Sequence, residues 1–128
     1  MSISFFAAFL SLKNDKVYAS LIPYYIGEIY LLREDHAKAE KVSTDYLTRF
    51  PGHKDEAEML RIQGEARYGQ GEYLGASSSL KAYVERTVAP QRKALYKLGM
   101  SHYHTEAFTD AVSNLGKVTS VDDALAQN

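Results

Sequence analysis

From Pro23 to Pro51 the chain reads as two amphipathic helices back to back, joined by a polar turn at Arg33-Glu34-Asp35. The same alternation of apolar stripe and polar break continues to the C-terminus. Helices are expected over residues 17–32, 35–49, 54–69, 72–86, 89–104 and 106–118. Asp35 stands where an N-cap would fall, Phe50-Pro51-Gly52 and Gly69-Gln70-Gly71 are stops, and Ala89-Pro90 opens the helix that follows. Pro23 lies within the helix expected over 17–32; it is tolerated in a first turn and elsewhere bends its helix. Phe5, Phe9 and Leu12 have helical spacing and predict a helix over 3–13. Ser120 reads as the N-cap of a last helix that begins at Val121. No alternation of period two predicts a strand.

Three segments align on glycine at Gly27, Gly64 and Gly99. Alanine follows at one fixed offset (Ala39, Ala76, Ala111), and a ring stands three places before each alanine (His36, Tyr73, Phe108). Ile26, Gln63 and Leu98 precede the glycines, and Tyr46, Tyr83 and Val118 lie beyond the alanines. Such a unit is a helical hairpin. Glycine and alanine are small where its two helices cross, and large residues fill the rest of the groove. One hairpin cannot bury its apolar face alone, so hairpins stack and share a core.

The set Gly27, Tyr30, Ala39 and Pro51, at a period of about 34 residues, resembles the tetratricopeptide repeat (TPR). The second unit carries Leu60, Gly64, Tyr73 and Ala76, with Val88 in place of the closing proline. The third carries Leu95, Leu98, Gly99, Phe108 and Ala111. Arg67 and His102 replace the tyrosine found at Tyr30. The resemblance implies an all-α, right-handed α-α superhelix in one domain, with about seven helices and the start of another. Residues 1–15 would be the second helix of a truncated repeat. Residues 20–53, 57–90 and 92–120 would be the three repeats, and 121–128 a helix start. The expectation is an excerpt of a longer array, because the chain begins inside one hairpin and ends inside another.

By the same resemblance, the first helix of each hairpin lines a groove. The groove places are Leu21, Tyr24, Glu28, Leu31 and Leu32; then Glu58, Arg61, Glu65, Tyr68 and Gly69; then Lys93, Tyr96, Met100, Tyr103 and His104. Aromatic residues and arginine are what protein-binding hot spots favour. Tyr24, Glu28, Arg61, Glu65, Tyr68, Tyr96, Met100 and Tyr103 are therefore the candidate contacts for a protein or peptide partner. TPR domains that grip a terminal carboxylate place lysine and asparagine where this chain has Tyr24, Tyr25 and Glu28. Glu28 would repel a carboxylate, which argues against that ligand.

Composition narrows the function further. A net charge of −1 lacks the basic excess of a nucleic-acid binder. With no cysteine there are no disulfides, cysteine-zinc sites or thiol nucleophiles, and the chain fits cytoplasm and bacterial periplasm alike. The apolar run Ser4–Leu12 is too short to span a bilayer, which takes about 20 residues. His102 and His104, two apart on a helix, point to different faces and cannot readily ligate one ion. Gly69-Gln70-Gly71 lacks a P-loop's strand and lysine. Ser77-Ser78-Ser79 has no base beside it, so no catalytic set, metal or cofactor is expected. The run Tyr24-Tyr25-Ile26-Gly27-Glu28-Ile29-Tyr30 with Phe50-Pro51-Gly52-His53 is similar to bacterial cell-envelope TPR proteins, among them outer-membrane assembly lipoproteins and cell-division coordinators. That similarity implies a periplasmic site, with the cytoplasm as the alternative. The expected function is a non-catalytic interaction scaffold. Its rivals are a spacer that self-associates through exposed end helices and a small-ligand or glycan module.

Overall fold

The computed structural model describes the backbone of residues 16–126 and the side-chain surroundings of residues 21–119. The expected helix over 3–13 lies outside this span. Six α-helices follow one another: α1 Lys16–Leu32, α2 His36–Arg49, α3 Glu56–Gly69, α4 Tyr73–Arg86, α5 Arg92–His104 and α6 Phe108–Ala126. Among the described residues there is no strand. Each helix packs on its chain neighbours, and α1, α3 and α5 also touch in sequence, so the odd helices form one layer.

The position of Pro23 is resolved, and two local expectations are corrected. Pro23 lies inside α1 beyond its first turn, fully buried, where it withholds one helical N–H. Pro90 precedes the N-cap residue Gln91 and stands outside α5. α6 runs on through Ser120 to Ala126, so no cap forms there. The stretch after Gly116 contains neither glycine nor proline to stop it.

The helices pair into hairpins through one turn made three times. Asp35 N–H bonds to Tyr30 C=O at 2.8 Å and Glu34 N–H to Leu31 C=O at 3.0 Å. Glu72 N–H bonds to Arg67 C=O at 2.9 Å and Gly71 N–H to Tyr68 C=O at 3.0 Å. Ala107 N–H bonds to His102 C=O at 2.8 Å and Glu106 N–H to Tyr103 C=O at 3.1 Å. This is the Schellman pattern, whose pivot residue is left-handed. Glu34, Gly71 and Glu106 have φ of 60°, 77° and 64°. The residue after each pivot then starts the next helix by accepting the N–H of Ala39, Ala76 or Ala111 on its own carbonyl. Asp35 thus caps with its backbone, and its side chain makes no cap bond.

Packing repeats in the same register. A Cβ on Gly64 would fall 2.6 Å from Leu80, and one on Gly99 would fall 2.7 Å from Leu115. The equivalent of those leucines beside Gly27 is Ser43, and what a Cβ on Gly27 would meet is Ile62 of the next hairpin, at 3.2 Å. Ala39, Ala76 and Ala111 are all buried. Ile26, Tyr30, Ala39, Val42, Tyr46, Met59, Ile62 and Ala66 form one cluster across α1, α2 and α3. Leu80, Tyr83, Ala94 and Leu98 carry a second across α4 and α5. Burying each of the larger aliphatic side chains contributes about 1.5–3 kcal/mol.

Two buried tyrosines in equivalent places tie one hairpin to the next. The Tyr46 hydroxyl pairs with His53 Nδ1 at 2.9 Å, and the Tyr83 hydroxyl accepts the Gln91 N–H at 2.9 Å. Burial, then the nearby Asp55 and Glu56 carboxylates, push the Tyr46 phenol up to about 12.

Candidate binding face

The odd-helix layer is organised by Arg61, whose side chain is only 3% exposed. A buried guanidinium must have each of its donors met. Its Nη2 donates to Glu28 Oε1 on α1 at 2.7 Å, its Nη1 to Glu65 Oε2 at 2.6 Å, and its Nε to Glu58 Oε1 at 3.3 Å. Glu65, as deeply buried, accepts Lys97 Nζ of α5 on its other oxygen at 2.7 Å. The chain Glu28–Arg61–Glu65–Lys97 therefore crosses all three odd helices. Burial alone would pull the Arg61 guanidinium down, but Glu28 and Glu65 outweigh it and hold it above its ordinary value. Burial likewise pushes Glu65 up, yet Lys97 and Arg61 prevail and hold its carboxyl below the usual 4.5. Both groups stay charged at neutral pH.

Tyrosines border this ladder. Tyr24 is half-buried beside it, and burial and the Glu28 carboxylate push its phenol up. Tyr68 lies under Lys97, the ammonium 5.7 Å from the ring centre. Tyr96 and Tyr103 are exposed, and Met100 is half-buried. An open cavity of about 180 Å³ is lined by Glu28, Leu31, Leu32, Arg61, Glu65, Gln91 and Lys93. All but Gln91 are groove places expected from the sequence. Arg61 and Glu65 are held in the ladder and form its floor, whereas the tyrosines are what the surface offers. Lys97 joins the face without having been singled out, because its partner Glu65 lies on another repeat and only stacking brings the two together.

A second feature runs along the rim where the hairpins turn. Tyr68 meets Tyr73 edge-on at 5.5 Å, and Tyr73 stacks on His104 at 4.1 Å with ring planes 16° apart. Tyr103 then meets His104 at 5.4 Å and Phe108 at 6.1 Å. His104 thus packs as a ring. His102 instead lines a polar cavity of about 260 Å³ with Lys81, Glu85, Leu98, Asp110 and Asn114 among its neighbours. Among the described residues no cluster of three or more His, Cys, Asp or Glu could hold a metal ion. No described helix is long and apolar enough to cross a membrane.

No family model, no curated protein and no solved structure matches the chain.

Proposed function

We propose that this chain is a non-catalytic interaction scaffold of the tetratricopeptide kind, which takes a partner segment against the odd-helix face. The observation that carries the reading is the buried ladder Glu28–Arg61–Glu65–Lys97, which braces three helices under an open cavity and has Tyr24 and Tyr68 beside it. A face whose charges are already paired presents rings and hydrocarbon without a large change in side-chain order, which lowers the entropy lost on binding. With Glu58, which also bonds Arg61, the network holds three carboxylates against the two cations Arg61 and Lys97, so a partner segment with aromatic or basic side chains fits better than a terminal carboxylate.

The test is photo-crosslinking from Tyr96, with Lys41 on α2 as the control position. A partner recovered from Tyr96 is then purified and titrated against Tyr68→Ala and Tyr96→Ala. Hot-spot truncation of about 2 kcal/mol corresponds to roughly a 30-fold weaker Kd. Equal crosslinking from both faces, or unchanged Kd values, would remove this face from consideration. The exposed rim of Tyr103, His104 and Phe108 favours a second reading, stacking on a sugar. A thermal shift with oligosaccharides and none with peptides would put that reading first.

A further inference from the structure

The hairpins meet each other through one recurring contact. The ring that opens an even helix covers the end of the next odd helix. His36 lies over Gly69, where a Cβ would run into the imidazole, and Tyr73 stacks on His104. Phe108 holds the same place in the third hairpin, yet it is 55% exposed, with Val112 one turn on at 74%. Among the described residues the complementary surface is equally bare. In α3 the stripe facing the preceding hairpin is Met59, Ile62 and Ala66, all fully buried, ending at Gly69. Its equivalents in α1 are Ile22, Tyr25, Ile29 and Leu32. That stripe is apolar in chemistry, but Tyr25 is 59% and Leu32 84% exposed, and Ile29 is exposed too.

The geometry points to a head-to-tail contact between two copies of this chain, in which α6 of one copy docks on α1 of the next. Phe108 then covers Leu32 as Tyr73 covers His104 and His36 covers Gly69. A second copy is the occupant because the internal hairpin-to-hairpin interface already displays this join twice, and the two bare surfaces are its two halves. Such a contact uses different surfaces on the two partners, so it does not close on itself. It propagates into open chains or, where the rotation permits, rings.

Two variants test this without touching the odd-helix cavity. Ile29→Glu spoils the head and Phe108→Glu spoils the tail, both at exposed positions where circular dichroism should report unchanged helix. In sedimentation velocity the wild type should gain mass with concentration, and each variant alone should remain at one chain's mass. An equimolar mixture should give a species of two chains and nothing larger, since one intact tail meets one intact head. A wild type that stays at one chain's mass throughout would overturn the proposal and leave residues 1–15 of the same chain as the occupant of the α1 stripe. So would a variant that still self-associates alone, or a mixture that forms no two-chain species. Tyr25→Glu, an independent head variant outside the cavity, should behave as Ile29→Glu does; wild-type-like association by it would also count against the register.

Discussion

Replacing Arg61 with methionine probes the ladder at its centre. The side chain is 3% exposed and bonds three carboxylates on two helices. Methionine fills similar length but leaves Glu28, Glu58 and Glu65 converging with Lys97 as the remaining cation. Breaking a buried pair by removing one partner costs about 3–5 kcal/mol, mostly because the other charge is left uncompensated. Domains of this size are stable by about 5–15 kcal/mol, so the loss is a large fraction of the whole. Urea unfolding followed by helical circular dichroism should show it. With a slope near 2 kcal/mol per molar, the midpoint falls by about 2 M. The decisive comparison is Arg61→Met with Glu65→Leu in the same chain. Removing both buried charges should recover part of the loss, giving a coupling energy of about 2 kcal/mol or more between the sites. If the two single losses simply add, within about 0.5 kcal/mol, the ladder is not an energetic unit and the reasoning fails.

Three further outcomes follow from particular contacts. Gly64→Ala and Gly99→Ala should each lose about 1–3 kcal/mol in thermal melts, since the new Cβ overlaps Leu80 or Leu115, whereas Gly27→Ala, at 3.2 Å from a side chain that can give, should lose less. Glu34→Gly and Glu106→Gly should each stabilise by about 0.5–1 kcal/mol, because glycine takes the left-handed pivot without the Cβ clash, and Gly71→Ala should destabilise; unchanged midpoints would argue against the turn geometry. Glu65 and Glu40 have folded-state pKa values below their ordinary 4.5, Glu65 through Lys97 and Arg61 against its burial, Glu40 chiefly through the Arg67 hydrogen bond. Their contribution is fully present above about pH 4.5 and is lost as pH falls through the lowered folded values, so stability should decline below pH 4.5 and Glu40→Gln should make that decline shallower.

The hairpin repeat was legible because it is written in small residues at fixed offsets, and Gly64, Gly99, Ala39, Ala76 and Ala111 stand where close approach requires them. The turns were less so. Glutamate at Glu34 and Glu106 hides a left-handed pivot that glycine announces only at Gly71. Arg61 and Glu65 were legible as members of the odd-helix face, but not as buried ions. Their burial depends on Glu28 and Lys97, which sit on neighbouring repeats and reach them only once the helices stack. Pro23 falls inside the helix expected over 17–32 but beyond its first turn; local preference opposes it there, and its full burial shows tertiary packing overriding that preference.

One slot, filled three ways, argues that the hairpins are not interchangeable. The residues before and after each crossing glycine are Ile26 and Tyr30, then Gln63 and Arg67, then Leu98 and His102. In the first hairpin the slot is closed by buried apolar groups. In the second it is closed by polar bonds. Gln63 Nε2 donates to Thr44 at 3.0 Å, Ser79 donates to Gln63 Oε1 at 2.8 Å, and Arg67 donates to Glu40 at 2.9 Å and to Ser79 at 2.9 Å. In the third it opens into the 260 Å³ cavity beside Leu98 and His102. Arg67 therefore needs the hairpin that carries Glu40 before it and its own Ser79 after it. Any order of repeats that parts Arg67 from Glu40 leaves a half-buried guanidinium short of its carboxylate, and a buried polar group left unpaired costs about 1–3 kcal/mol. The polar filling of the middle hairpin thereby fixes which neighbour stands on its α2 side.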